Sequence, residues 1–383
     1  ALYANVDNYE APAEGAAVLT EDATEIDRWI ISKLNSLVKK VTKELQSFDP
    51  TRAGRLIDSF VNDDLSNWYV RLNRKRFWGK EMSALDFWKL GKKIYNMSNP
   101  REARRCVIFC VRAFLHRAQM MKIQRFFEQS ALLQQVADLY PFVYEQPTRA
   151  FFYNKSTFDE RAALVETHMS FLAEHVRAEN VLALYRAERL LLWSGIACMD
   201  RQFYAALFFE PGQRKEGLLS VVLWLGDVSF YQIIFWINTA ADGTPAMWIG
   251  AMQGPNMENA RNVVKQVTKA CHSYRTKNLA LYIAQAAARA LGLRHIYAVT
   301  NTGYYANNHV RVDRKLKTDF SEFWREAGGM DTEDSRFMEL PLIEKRKTME
   351  EVPTRKRAVY RRRFAMLDDI DREVMERIGE ILQ

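Results

Sequence analysis

The chain has little cysteine: four in 383 residues, at Cys106, Cys110, Cys198 and Cys271. That number excludes a disulfide scaffold and points to a reducing compartment. Cys106 and Cys110 stand one helical turn apart with no His pair at zinc spacing. They read as small apolar side chains on a buried helix face, and no metal site is expected. No run reaches the roughly 18 uncharged apolar residues of a membrane span. The nearest, Val228 to Ala241, is too short and reads as a strand. The start carries no Met, no basic leader and no apolar stretch, so it reads as a cut end in an open frame and not as a signal peptide. There is no Walker-type phosphate loop and no Ser-His-Asp arrangement. Of the six histidines, His272 and His295 lie near a helix of interest and His309 in a polar loop. Nothing in their spacing selects a general base, and the catalytic residues stay unassigned.

What is present is an ordinary globular composition, 48% apolar and 27% charged, with a net charge of +8. The charge is unevenly placed. Residues 1–81 hold 12 Lys/Arg and 13 Asp/Glu, and residues 82–383 hold 43 and 34. The basic balance belongs to the second part alone. It suits nucleic acid, an anionic lipid surface or a phosphorylated cofactor, without choosing among them.

In the first part, Ile26, Trp29, Ile30, Leu34, Leu37, Val38, Val41 and Leu45 recur at three- and four-residue steps and predict a helix over 24–47, stopped by Asp49-Pro50. A second stripe, from Ala53 to Leu72, predicts a helix over 51–73 and therefore a helical hairpin. It ends in Arg71, Arg74, Lys75 and Arg76, with Phe77 and Trp78 interleaved. Cations meet phosphates and aromatic faces stack on bases. Equally, cations at a helix C-terminus answer its dipole while the aromatics close a core.

Asn62-Asp63-Asp64-Leu65-Ser66-Asn67-Trp68-Tyr69, with Arg71-Leu72-Asn73-Arg74 after it, Glu25 to Ile30, and Tyr3 to Asp7 resemble the anticodon-side helical domain of isoleucyl-tRNA synthetase. The resemblance implies a bundle that docks tRNA, through Arg71, Arg74, Lys75, Arg76 and Trp78. Only the opening part of that domain is covered. The catalytic His-Ile-Gly-His-type and Lys-Met-Ser-Lys-Ser-type signatures are missing, so the chain as it stands is not expected to be an aminoacyl-tRNA ligase.

The second part opens, from Leu85 to about Phe127, with a helical and basic stretch carrying Arg101, Arg104, Arg105, Arg112, Arg117, Lys122 and Arg125. It reads either as a surface for an anionic membrane or as a solvated face over a core. Helices are predicted over 158–176 and 179–192. The period then changes: 203–209, 218–225, 229–237 and 246–252 are short, β-branched and aromatic, and predict an antiparallel meander. A helix over 258–271 follows. Tyr274-Arg275-Thr276-Lys277-Asn278 then leads into a helix from Leu279 to Leu291, closed by Gly292, and a strand from His295 to Thr300.

Meander, strand, helix and strand resemble acetyltransferases of the GNAT type. That resemblance implies acyl-CoA as cofactor, its pyrophosphate held by the helix N-terminus at Arg275, Thr276, Lys277 and Asn278. Two departures stand against it: there is no Gly-x-Gly turn, and an extra helix intervenes. The other reading is an α/β layer whose helix start happens to be basic.

A wider resemblance covers about 300 residues. Gly250 to Pro255, Lys277-Asn278-Leu279, Ala290-Leu291-Gly292, Ala298 to Asn301, Phe323 to Gly329, Glu339 to Leu342 and Pro353 to Arg363 look like the VirK/YbjX family. The resemblance implies a setting of envelope stress, virulence and peptide resistance in Gram-negative bacteria, not a reaction. Arg355, Lys356, Arg357, Arg361, Arg362 and Arg363 precede the helical stripe Leu367, Ile370, Val374, Ile378 and Ile381. Six cations near a helix N-terminus oppose its dipole. Asp319, Glu322 or Glu326 would offset them, or else a phosphate-bearing ligand or an anionic membrane would.

The expectation is thus α+β: a helical hairpin over 1–81, a basic helical segment over 82–150, and a VirK/YbjX-like domain over 151–383. The last has a largely antiparallel sheet and a GNAT-like αβ unit over about 200–330. Expected partners are acyl-CoA, an anionic membrane surface and, for the hairpin's parent, tRNA. DNA is not expected. The expected place is the cytoplasm, peripheral to the inner membrane.

Overall fold

The structure, a computed structural model, describes residues 24–73, 83–308 and 319–383. The chain divides into two compact units, residues 1–83 and 84–383. In the first, α1 (Glu25–Gln46) and α2 (Pro50–Ser59) form the predicted hairpin, and the chain runs on as a π-helical stretch, Phe60–Val70. Asp27 opens α1 by accepting from the Thr24 backbone N–H at 2.9 Å and from its hydroxyl at 2.7 Å. Asp49 does the same for α2, accepting from the Arg52 N–H at 2.9 Å. The Tyr69 hydroxyl donates to Asp27 Oδ1 at 2.7 Å and ties the two arms. Two helices bury only the stripe where they face each other. Ile30, Ala53 and Phe60 are buried, while Leu34, Val38, Ile57, Val61, Trp68 and Leu72 stay exposed.

The second unit opens with helices. The helical, basic stretch expected over 85–127 consists of three helices: α3 (Ala84–Ile94), α4 (Pro100–Leu115) and α5 (Arg117–Glu128). Pro100 has no N–H to continue a helix, and Asn99 caps the new start from its side chain, accepting from Arg101 N–H at 3.0 Å. Then come α6 (Ala131–Leu139), α7 (Phe158–His175) and α8 (Ala178–Tyr185). The helix predicted over 179–192 stops early. Ala187 turns left-handed at φ 62°, and Leu190–Cys198 is a strand, β1. An unbroken apolar run such as Leu190-Leu191-Leu192 has no period with which to tell helix from strand.

Among the described residues the sheet has eight strands in the order β1-β2-β3-β4-β5-β6-β8-β7. Strands β1, β2 (Arg201–Phe208), β3 (Leu219–Leu225), β4 (Val228–Thr239) and β5 (Pro245–Gln253) form an antiparallel meander. Two helices, α9 (Ala260–Ala270) and α10 (Thr276–Ala290), then lead to β6 (His295–Val299), which lies parallel to β5. Gly292, at φ 74°, ends α10 in the left-handed conformation that the sequence predicted there. Next, α11 (Phe320–Glu326) is pinned to β6 by the Trp324 indole, which donates to Val299 O at 2.8 Å. Strands β7 (Met330–Asp331) and β8 (Phe337–Leu340) complete the sheet.

The final helix, α12 (Arg357–Ile381), buries the expected stripe Leu367, Ile370, Val374, Ile378 and Ile381, and packs on α10 and β1. The side chains of β4 separate the two faces of the sheet. Tyr231 meets the start of α10, and Trp236, on the opposite face by strand alternation, meets Phe152 and Tyr153. Both faces are covered, which is why all of β3 is buried.

Candidate functional site

In an α/β layer, ligands gather beyond the carboxyl ends of parallel strands. Here the parallel ladder joins Ala246–Ile249 to His295–Ala298 and ends there, so Gly250–Gln253 of β5 run on without a partner in β6. Across the other edge of β5, Ile234 faces Ala251 while Phe235 faces Ile249. Gly250 is thus an extra residue, a β-bulge of the kind that re-aims a strand beside a site. A Cβ added at Gly250 would stand 1.8 Å from the Glu216 carbonyl oxygen, so only glycine fits.

On the Tyr231 face, α10 begins. Thr276 is buried near the Tyr231 hydroxyl, and the Tyr231 ring lies against Gly254 at the end of β5. No side chain caps the helix, so its first-turn amides remain open to an anion. Arg275 Nη1 and Lys277 Nζ each stand 3.5 Å from Glu326 Oε2. Lys277 also lies 4.4 Å from the Phe323 ring centroid. The two cations share one carboxylate, which leaves one net positive charge at the helix start. Asn278 Oδ1 is buried and has no hydrogen-bond partner among the described residues. The four expected cofactor residues therefore share one turn, Thr276 facing inward and Arg275 outward.

On the Trp236 face sits a group that no sequence spacing indicated. Glu216 is only 5% exposed. Its Oε1 accepts from the Tyr304 hydroxyl at 2.6 Å and its Oε2 from Gln253 Nε2 at 2.7 Å. Gln253 Oε1 in turn accepts from Gln232 at 3.1 Å and Gln213 at 2.9 Å. Burial raises the Glu216 carboxyl above the usual range, against the opposing pull of Tyr304 and Gln253. Burial, and then Glu216 itself, push the Tyr304 hydroxyl far above the ordinary tyrosine value. The shared proton therefore rests on Tyr304. A buried carboxylate with raised basicity at a strand end is suited to taking a proton from a bound nucleophile.

The other expected residues separate into two groups. In the C-terminal block, Arg355 and Lys356 lie in a short turn, Thr354–Lys356, and are exposed with Arg361 and Arg362. Arg357 Nε donates to Val352 O at 3.2 Å. Arg363 donates to His272 O and Ser273 O at 3.1 and 3.0 Å and holds the turn before α10. Two carboxylates expected to offset the block are engaged elsewhere. Asp319 caps α11 and accepts from Asn301 at 2.8 Å, and Glu326 holds Arg275 and Lys277. His295, expected near the cofactor helix, lies just beyond its C-terminal end, between Asp242 at 3.0 Å and Glu339 at 2.7 Å. His272 is at the helix start, and burial, then Arg362 and Arg363, lower its pKa. His309 lies outside the described residues. So do Arg74, Lys75, Arg76 and Trp78 of the RNA surface, while Arg71 is exposed at the end of its helix. Among the described residues no helix is long and apolar enough to cross a membrane.

Comparison with known proteins finds two matches along the chain. Residues 98–376 match the family described as "Protein of unknown function (DUF535)", and residues 27–100 match the anticodon-binding domain of tRNA ligase. An uncharacterized protein of Haemophilus influenzae is 27% identical over 295 residues, 76% of this chain and 96% of that protein. The isoleucine–tRNA ligase of Bacteroides thetaiotaomicron is 59% identical over 83 residues, and that of Cytophaga hutchinsonii 60% over 84. The matched part is 22% of this chain, and it spans only 7% of either ligase. No solved structure matches.

Proposed function

The chain belongs to the DUF535 family, and from the geometry of its larger unit we propose that it is an acyl-CoA-dependent acyltransferase working at the carboxyl end of β5. The observation that carries this reading is that, among the described residues, β5 and β6 are the one parallel pair in an otherwise antiparallel sheet. Helix α10 is part of the connection between those strands and opens uncapped near Tyr231, whose ring lies against Gly254 at the end of β5. In this reading the first-turn amides of α10, with Arg275 and Lys277, hold the pyrophosphate of acyl-CoA. The unpaired edge at Gly250–Gln253 receives the thioester arm. Glu216 takes the proton of an amine or hydroxyl acceptor as it attacks the thioester carbonyl. The carbon–sulfur bond then breaks, and Glu216 returns the proton to the CoA thiolate. Tyr304 stays protonated and orients the carboxylate. Titration calorimetry of the full chain with CoA and acetyl-CoA tests the reading. Saturable heat, weakened several-fold by Lys277→Ala, is expected. Absence of heat with both ligands removes it.

A second reading, attachment to an anionic membrane face, is favoured by α4. Val107, Val111, Phe114 and Leu115 of that helix are 51, 55, 50 and 73% exposed, beside exposed Arg101, Arg104 and Arg105. Apolar and cationic side chains together on an open helix suit an acidic lipid surface. Arg355, Lys356, Arg361 and Arg362 would add to the attraction. Co-sedimentation with phosphatidylglycerol vesicles is expected, falling with salt and with Phe114→Glu. Failure to pellet, or pelleting indifferent to salt, rejects it. Envelope stress and virulence would be the setting of either activity.

A further inference from the structure

We propose that Arg105, Arg149, Arg214 and Lys215 form a binding site for a phosphate monoester. Three segments bring them together. Arg105 stands on α4, Arg149 follows the short turn Gln146–Thr148, and Arg214 and Lys215 lie in the loop before β3. Two hydrogen bonds fix that turn between its neighbours. Arg112, two turns of α4 beyond Arg105, donates from Nη1 to Thr148 O at 3.1 Å, so both arginines lie on the flank of α4 that meets the turn. Gln146 donates from Nε2 to Arg214 O at 3.0 Å. Glu145, whose side chain is 1% exposed, joins the other two arginines. Its Oε1 accepts from Arg149 Nη1 at 3.4 Å and its Oε2 from Arg214 Nε at 3.0 Å. The Tyr95 hydroxyl also donates to Oε1, at 2.5 Å, so this carboxylate already serves three donors.

The cations outnumber the carboxylates and are reachable from solvent. The Arg149 and Arg214 side chains are 26 and 17% exposed, Lys215 is half-buried and Arg105 is exposed. Among the described residues, Lys215 Nζ and the Arg105 guanidinium have no hydrogen-bond or ion-pair partner. Arg149 Nε and Nη2 and Arg214 Nη2 likewise have no acceptor there. Burial, then Arg214, Arg149 and Arg105, lower the Lys215 pKa, and Glu216 opposes them as the smallest influence. All three guanidiniums thus act on one ammonium group. Four positive charges stand against Glu145 and Glu216, an excess of two, and that excess selects a dianion. A phosphate monoester carries a charge of about −1.5 to −2 and three acceptor oxygens, and guanidinium nitrogens meet phosphate oxygens in pairs. A carboxylate or a phosphate diester brings one charge and leaves the other cation unanswered. The monoester has two sources, a soluble phosphorylated compound or a lipid headgroup, the latter because Val107 and Val111 of α4 are exposed near Arg105. The site shares Arg105 with the membrane reading and depends on neither reading above.

Titration calorimetry of the full chain with inorganic phosphate, methyl phosphate and dimethyl phosphate tests the proposal, above the second phosphate pKa of about 6. Saturable heat with the first two is expected, with Kd on the order of 1 mM, and binding of dimethyl phosphate about tenfold weaker. Lys215→Met keeps the apolar stem and loses the charge, and is expected to weaken methyl phosphate about tenfold. Arg105→Ala, at an exposed position that folding does not need, is expected to weaken it about two- to fivefold. Co-sedimentation with phosphatidylcholine vesicles containing phosphatidic acid or phosphatidylglycerol separates the sources. A preference for phosphatidic acid that Lys215→Met removes supports the site and assigns it to a headgroup. Heat with the soluble monoesters and no such preference supports it and assigns it to a soluble compound. Neither heat nor that preference overturns the proposal. So does equal affinity for methyl and dimethyl phosphate, or heat that both variants leave intact. Heat lost with Lys277→Ala alone places the anion at α10 and also overturns it. No arm contains CoA, so the acyl-CoA reading fails separately. Vesicles that pellet the protein with neither lipid reject the membrane reading and leave calorimetry to decide this one.

Discussion

Tyr304 Oη lies 2.6 Å from Glu216 Oε1, although 88 residues separate them. The bond joins the loop after β6 to the segment before β3 and favours the charged form of a carboxyl whose pKa burial raises. Tyr304→Phe removes the donor and leaves Oε1 unanswered. The expected cost is about 1–3 kcal/mol in urea unfolding. With Glu216→Gln as the second arm of a double-mutant cycle, a coupling of about 0.5–3 kcal/mol is expected. Additive effects would show that the two groups do not act as a unit.

Gly250 distinguishes a steric requirement from a general preference for small residues. A Cβ there meets Glu216 O at 1.8 Å and the Trp236 ring at 2.8 Å. Backbone must move, so Gly250→Ala is expected to destabilise by about 1–3 kcal/mol or more. Gly379, in α12, has nothing within 4 Å of such a Cβ. Gly379→Ala is expected to stabilise by about 0.5–1 kcal/mol. Thermal unfolding of the two variants side by side checks the contrast.

Glu326 restrains the cations at the start of α10. Glu326→Gln frees Arg275 and Lys277, each 3.5 Å from its Oε2. If these side chains receive a pyrophosphate, the variant binds CoA several-fold more tightly at low salt, and the gain shrinks as salt rises. Unchanged or weaker affinity by calorimetry would place the anion elsewhere.

His168 of α7 sets an acid limit on the fold. It is fully buried, and its Nδ1 accepts from the Ile237 N–H at 3.0 Å. Burial lowers its pKa from 6.5 to about 3. The folded value is the lower one, so the unfolded chain takes up the proton first. The contribution is complete above pH 6.5 and is lost as pH falls toward 3, by up to about 1.4 kcal/mol per pH unit. Stability measured from pH 7 to 4 is expected to show that slope, and His168→Gln, which keeps an acceptor, is expected to flatten it.

Much of this was legible in the sequence because it is local. Three- and four-residue periods placed α1 and α12, and Gly292 placed the end of α10. The change to β-branched and aromatic runs placed β2 to β5. Family resemblance reached both matched regions, since it rests on residue identity along the chain. Where a signal had no period, as at Leu190-Leu191-Leu192, the sequence reading failed, and a strand stood where a helix was expected.

The amino-acid order by itself determined most of the helices, the strands β2 to β6, and that two kinds of sequence share one chain. Tertiary structure alone decided that Glu216 meets Tyr304, that Glu326 takes Arg275 and Lys277 and not the cations of the C-terminal block, and that Trp236, Trp248 and Tyr297 stand in one row. The reason is physical. Helix and strand propensities act over a few neighbouring residues, whereas strand register and helix packing bring together side chains that no sequence spacing relates.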